Sequence, residues 1–346
     1  MDTASAMRFQ ARACADLGSP MYADLLTRVE ADLERRGVCA EVLAGHEQDP
    51  GPSALALRLL GSVHRLVLEG SAPDLAPYYP STGGAWEPER GWLAFHDTLR
   101  QRADAVRARL DQSPQTNEVG RAAALMGGLL HVEAARALPV RLLEIGASAG
   151  LNLRADHFCY HDQHGRRYGR PDSPVQLPGA WAGRMLPTGV PGVVERLGCD
   201  VAPVDVSTDE GRLAVMSYVW PDHRERWTRL VHAFEVASHV PADVRRQDAR
   251  AFVDDLTLVE GTITVLWHSV MWQYLEPADQ QAISAALQAL GEQADGHRAL
   301  AHLSLEPMRR SRDAEHEFLV SLRTWPGGRH RIIGSAAPHG LPTVWE

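Results

Sequence analysis

From about Gln115 onward, short apolar runs alternate with amphipathic helical stretches, and this alternation limits the fold more than any other feature of the chain. The runs VRLLEIG, VEGTITVLWHS and RALAHLSLEP are too brief for helices and read as buried strands, the first bounded by Pro139 and Gly146. RERWTRLVHAFEVAS and PADQQAISAALQALGEQ separate them as helices. Strand and helix in alternation imply a parallel sheet covered on both faces. EFLVSLRTWPGG and HRIIGSAA meet at Pro326, Gly327 and Gly328 and predict an antiparallel hairpin. Residues 158–198, rich in Gly, Pro, His and Arg, read as an irregular insertion with short strands of its own.

The first third reads as helices. Ser19 and Pro20 fit an N-cap followed by proline at the first helical position, and Tyr22, Leu25, Leu26, Val29 and Leu33 recur at helical spacing until Gly37. A second helix is expected from Ser53 to Glu69. After a loop punctuated by Pro and Gly, Trp92, Phe95, Leu99, Val106 and Leu110 predict one long helix. The expected fold is therefore α/β. A Rossmann-like, mostly parallel sheet with a C-terminal antiparallel hairpin occupies residues 115–346. An all-helical domain over residues 1–114 precedes it and packs over its mouth.

Composition then removes whole classes of chemistry. The sequence contains no lysine, so a P-loop, a Schiff-base centre and a lysine general base are all excluded. A net charge of -9 argues against a broad surface for nucleic acid. Cys14, Cys39, Cys159 and Cys199 form no CxxC pair, which points to a reducing, cytoplasmic setting, and no run is long and apolar enough to span a membrane. His157, Cys159, His161 and His164 could be drawn as a metal site, but Gly165 and the polar run beyond read as a solvated hairpin, so no metal is expected.

The chemistry concentrates in RLLEIGASAGLNL, residues 141–153. A strand ends at Glu144 and Ile145, a turn of small residues follows, and a helix then begins. Small residues admit a ligand close to the backbone, and unpaired amides at a helix start favour polar or anionic groups. The segment resembles the first motif of class I S-adenosylmethionine-dependent methyltransferases, an apolar strand, an acid, an apolar residue and Gly-x-Gly-x-Gly, with Ser148 in place of the middle glycine. That resemblance implies S-adenosylmethionine as cofactor, held by Glu144, Gly146, Ala147, Ser148, Gly150 and Asn152. It further implies Asp200 on the ribose hydroxyls, with Asp205 as the alternative, and Asp248 with Ala249 at the adenine. QTNEVGR, RLGCDVAPVDV, VWPDHRERWTRL and HSVMWQYL together resemble an uncharacterised bacterial domain-of-unknown-function family, methyltransferase-like in fold.

An acceptor should approach over the carboxyl ends of the strands. His268 and Ser269 end one strand and Glu306 ends another; His268 is a candidate general base, because an unperturbed histidine has a pKa of about 6.5, and Glu306 is a second catalytic candidate. Asn117, Arg121, Trp220 and Ser269 are candidate substrate contacts, with Arg121 offering its planar fork to a carboxylate. Helix caps and backbone hydrogen bonds are the plainer roles for several of these. The Asn-Pro-Pro-Tyr motif of amino methylation and the Pro-Cys dipeptide of pyrimidine attack are both missing, which leaves a small molecule or a peptide as acceptor. Two alternatives stay open: a noncatalytic binding protein that keeps the nucleotide fold, and an α/β-hydrolase using Ser148 in Gly146-x-Ser148-x-Gly150, with Asp248 and His268 as partners.

Overall fold

A computed structural model describes residues 2–49, 54–112 and 114–346. The chain divides into two compact units, residues 1–116 with 208–228, and residues 117–207 with 229–346.

The described elements of residues 2–116 are helical: α1 (Thr3–Asp16), α2 (Pro20–Glu34), α3 (Val38–Val42), α4 (Leu55–Leu68), α5 (Pro88–Gln101) and α6 (Ala103–Leu110), with short 3-10 turns between α4 and α5. Ser19 caps α2 through its hydroxyl, which accepts from the Tyr22 amide, with Pro20 behind it. The helix expected from Ser53 begins at Leu55; Ser53 itself lies outside the described residues. Where one long helix was expected over Trp92–Leu110, two form. The chain leaves helical dihedrals at Arg102 (φ -124°, ψ 23°), one turn after the Thr98 hydroxyl donates back to the Ala94 carbonyl, a bond that bends helices. Tyr22, Leu25, Leu59, Val63, Phe95 and Leu110 meet in one core.

The stretch 208–228 joins this unit through α8 (Asp209–Met216) and the start of α9 (Arg224–His239). Trp220 packs in the same core, and Asp222 accepts from the Ser19 hydroxyl (2.7 Å) and the Met21 amide (3.1 Å). Asp222 thus fastens the first turn of α2.

The second unit is built on an eleven-stranded, mostly parallel sheet. Its strands are β1 (Val140–Ile145), β2 (Cys159–Asp162), β3 (Arg167–Gly169), β4 (Gln176–Gly183), β5 (Val193–Asp200), β6 (Asp243–Arg246), β7 (Thr262–Ser269), β8 (Arg298–Arg309), β9 (His316–Trp325), β10 (Arg329–Ala336) and β11 (Thr343–Trp345). They lie in the order β3-β2-β4-β11-β10-β9-β8-β7-β1-β5-β6. The five strands from β8 to β6 run parallel, and β9 and β10 pair antiparallel beyond them, as the terminal hairpin predicted. The stretch read as an irregular insertion supplies β2, β3 and β4 to the far end of the same sheet and β5 to its centre, beside β1.

The helices of this unit are α7 (Ala122–Ala135), α10 (Ala249–Asp254), α11 (Pro277–Glu292) and the greater part of α9. Alternation along each strand sends Leu143, Leu266 and Leu300 to the face of α10 and α11, where they meet Phe252, Ile283 and Leu287. Glu144, Trp267 and Leu303 point to the other face, on which α7 lies against β8. No described helix is long and apolar enough to cross a membrane, and the four cysteines are free and buried.

Candidate functional site

The turn after β1 is tight. Gly146, Ser148 and Gly150 all take positive φ (68°, 51° and 65°), and Gly150 also brings the backbone so close to β6 that a Cβ there would lie 2.6 Å from Val244 Cγ2. The helix that follows is a 3-10 segment over Leu151–His157, kinked at Arg154. Four amides of the turn and of the segment after it already donate within the chain. The Ala147 amide donates to the Cys199 carbonyl (3.0 Å), the Ser148 amide to Asp200 Oδ2 (2.9 Å), the Gly150 amide to the Ala147 carbonyl (2.7 Å) and the Leu151 amide to Asn117 Oδ1 (2.8 Å). The turn is held from within the chain.

Three acids stand along this edge. Glu144, 2% exposed at the end of β1, has one carboxylate oxygen without a partner; burial pushes its pKa up to about 8, with Asp200 adding to the rise and Trp267, Arg154 and Arg121 opposing it. Asp200 ends β5, and its second oxygen accepts from the Ala202 amide (2.9 Å). Asp248, just past β6, caps α10 by accepting from the Ala251 amide (2.9 Å), with Ala249 buried behind it. Asp205, the alternative to Asp200, accepts from the Ser207 amide in an exposed turn.

Several residues singled out as substrate or cofactor contacts also fasten the fold. Asn117 spends its side-chain oxygen on Leu151, and Asn152 donates to the Glu118 carbonyl (3.3 Å) while its own buried oxygen stays unpartnered. Arg121 donates to the carbonyls of Pro338 (3.2 Å) and Ser269 (3.3 Å), which ties α7's approach to the end of β7. Trp220 lies in the helical unit, with Arg226 over its ring.

The densest chemistry lies at the ends of β7 and β8, on the α11 face. His268 and Glu306, 38 residues apart, are joined by a 2.8 Å hydrogen bond from Nδ1 to Oε1. The same oxygen accepts from the amides of Met271 (3.1 Å) and Trp272 (3.3 Å), so it serves as an acceptor throughout and the proton of the pair sits on His268 Nδ1. His268 Nε2 lies 2.9 Å from His302 Nε2, and Trp272 stacks on the His268 ring at 4.9 Å. Burial, reinforced by His268, His330 and Arg323, holds the pKa of His302 well below the usual range. His302 is therefore neutral, and one proton is shared between its Nε2 and His268 Nε2. Its Nδ1, which makes no hydrogen bond among the described residues, is the open end of the chain Glu306–His268–His302. Sequence reasoning missed His302, although HLSLE places it in step with Ser304 and Glu306 on one face of β8.

The bend that delivers the two amides to Glu306 is strained. Val270 has φ 52°, a conformation that β-branched residues rarely adopt, and its amide is pinned to the Leu305 carbonyl (3.0 Å). Met271 next to it covers the β1 turn: a Cβ on Gly146 would meet its Cβ and Cγ at 3.0 Å. One residue thus touches both the turn and the Glu306 cluster.

A cavity of about 540 Å³ opens on this cluster, lined by His268, Trp272, His302, Glu306 and Arg323 among others. Another, of about 590 Å³, is lined in part by His157, Arg170 and His239 and holds none of the residues singled out above as cofactor, catalytic or substrate contacts. The serine-hydrolase alternative is not assembled by the residues offered for it, since both ring nitrogens of His268 are bonded to Glu306 and His302, and Asp248 caps a helix. In the 157–164 stretch, His161 Nε2 lies 3.0 Å from Gln176 Oε1 and 3.5 Å from Cys159 Sγ.

Residues 4–345 match the family described as "Uncharacterized protein conserved in bacteria (DUF2332)", and the chain belongs to it. No curated protein matches the chain.

Proposed function

We propose that this family member is an S-adenosylmethionine-dependent methyltransferase acting on a small molecule or peptide, with the donor over the β1 turn and the acceptor over the ends of β7 and β8. The observation that carries the reading is the placement of Glu144, Asp200 and Asp248 at the carboxyl ends of three neighbouring parallel strands, around a turn whose amides already donate within the chain.

Strand order supports it. The run β6-β5-β1-β7-β8 is the 3-2-1-4-5 order of a Rossmann-like sheet, whose ligands bind outside the carboxyl ends where the order reverses, here between β1 and β7. Charge then selects among nucleotide ligands. A pyrophosphate needs free amides or cations, and this turn donates its amides to Cys199, Asp200, Ala147 and Asn117 instead. S-adenosylmethionine brings a sulfonium, an ammonium, a ribose diol and an exocyclic amine, all of them groups that suit carboxylates. The unpartnered buried oxygen of Glu144 fits such a cation, whose arrival would displace the proton that burial holds on this acid. Asp200 and Asp248 keep lone pairs for the ribose and the adenine beyond those used in their backbone bonds.

When bound, that group supplies an electrophilic methyl. The chain's part is to orient the acceptor and accept its proton. With the shared proton on His302 Nε2, a proton arriving at His302 Nδ1 moves it onto His268 Nε2, and Glu306 stabilises the imidazolium so formed through Nδ1–H.

Calorimetric titration with S-adenosylmethionine and S-adenosylhomocysteine tests the reading. Both should bind, and Asp248→Asn, which preserves the helix cap, should weaken them about tenfold, as expected for one lost charge-assisted hydrogen bond. Absence of heat from the native protein, or binding of a dinucleotide in their place, would overturn it. Donor binding with unchanged turnover in His302→Ala would remove the proton path alone.

A further inference from the structure

The cavity over β7 to β10 carries a charge that the donor site does not use. His302, Arg323 and His330 are consecutive partners in one row across β8, β9 and β10, so their side chains share a face. The next row holds His268, Ser304 and Ser321. Arg323 donates through Nε to the Gly328 carbonyl (3.2 Å) and through Nη2 to Gln288 Oε1 (2.8 Å), and its guanidinium lies 4.7 Å over the Trp325 ring. All three partners are neutral. Its Nη1 makes no hydrogen bond among the described residues, and none of its ion-pair or hydrogen-bond partners there is a carboxylate. Glu306, the acid nearest in the cavity wall, gives one oxygen to His268 and two amides.

The Ser304 and Ser321 hydroxyls, both more than nine-tenths buried, lie 2.9 Å apart. One proton serves the bond between them, and the other remains for a further acceptor. Trp272 and Met308 add an apolar wall. A half-buried guanidinium without a counter-ion, a spare hydroxyl donor and a flat aromatic surface make a site for an anion on an apolar body. Among the described residues Arg323 is the one guanidinium in the cavity wall, and the negative charge of Glu306 there is already engaged by His268 Nδ1–H and two amides, so a single carboxylate suits the site better than a phosphate monoester, which carries about -1.5 to -2.

We propose that this cavity binds a small aromatic or similarly apolar carboxylic acid, its carboxylate against Arg323 and the Ser304–Ser321 pair. The inference rests on the preceding reading only in naming such an acid as the methyl acceptor; the binding itself does not require a donor.

The test is calorimetric titration of the full chain with 4-hydroxybenzoate, its neutral counterpart 4-hydroxybenzamide, and phenyl phosphate. The acid should bind at least tenfold more tightly than the amide and more tightly than the phosphate. Arg323→Gln should remove that preference. Because Arg323 also braces Gly328 and Gln288, a second variant, His330→Asp at an exposed position lining the cavity, should weaken the acid at least tenfold while leaving the thermal melt unchanged. Equal binding of acid and amide, tighter binding of phenyl phosphate, no binding of any of the three, or unaltered affinity in His330→Asp would each overturn the proposal. If S-adenosylmethionine binds and the acid does not, this inference alone falls. If the acid binds and S-adenosylmethionine does not, the carboxylate site stands without the methyl-transfer reading.

Discussion

Replacing Glu144 by glutamine should make the protein more stable at alkaline pH. The carboxyl is 2% exposed, and burial raises its pKa from 4.5 to about 8. Below pH 4.5 the folded and unfolded chains both hold the proton, and the group contributes no pH dependence. Between 4.5 and about 8 the unfolded chain releases the proton while the folded chain keeps it, so folding becomes progressively less favourable as pH rises. Above about 8 the full cost of a buried charge is present. Each pH unit in that window is worth about 1.4 kcal/mol, which sets a ceiling of roughly 5 kcal/mol; relaxation around the acid brings the expected effect to roughly 2–4 kcal/mol. The glutamine side chain keeps the shape and the neutral hydrogen bonding without ever acquiring the charge. Urea unfolding of both proteins at half-unit steps from pH 5 to pH 9 measures this, and other titrating groups cancel in the difference. The variant should match the native protein near pH 5 and exceed it by roughly 2–4 kcal/mol at pH 9. A difference that stays flat across the range would show that Glu144 is charged in the folded state, and the account of its burial would be wrong.

Two further substitutions probe the turn and the bend. Gly150→Ala forces a side chain into left-handed φ and against Val244, so it should cost roughly 2–4 kcal/mol in urea unfolding, whereas Gly165→Ala, also at positive φ but with nothing within 4 Å, should cost about 1. Val270→Gly should leave stability unchanged or raise it by about 1 kcal/mol, because release of strain worth about 1–3 kcal/mol outweighs the entropy of a glycine; a loss above about 1 kcal/mol would show that the bend is not strained.

Much of the second unit was legible because its signals are local. Each apolar run bounded by turn residues became a strand, and residues at the ends of two such runs, His268 and Glu306, came together because β7 and β8 are neighbours. What could not be read depends on partners far along the chain. Residues 158–198 look irregular by themselves, and two of their strands find distant partners: β4 pairs with β11, so that Trp181 lies beside Thr343, and β5 pairs with β1. Asn117 and Asp222 carry polar groups that suit a ligand equally well, but their acceptors are filled by Leu151 and by Ser19 with Met21. The amides of the β1 turn illustrate the same point: no local pattern reveals that Asp200, 52 residues on, accepts a hydrogen bond from the Ser148 amide.

The arrangement at the strand ends is hard to explain as scaffolding. Glu144 and Glu306 stand at the ends of strands β1 and β8, on opposite faces of the sheet, and each retains a carboxylate oxygen that is buried and unpartnered. Such groups lower stability, and glutamine or an apolar residue of similar volume would serve a purely structural site at least as well. Between them runs a bend held at an unfavourable φ by Val270, whose sequel Met271 covers Gly146 with its side chain and gives its amide to Glu306. Strain and unpaired acids both cost free energy, and here one short segment couples them across the point where the strand order reverses. A fold selected for stability alone would have relaxed each separately, so the convergence of two unpaired acids, Glu144 and Glu306, on the strained segment HSVMW argues for a site at which ligand groups complete what the protein leaves unpaired.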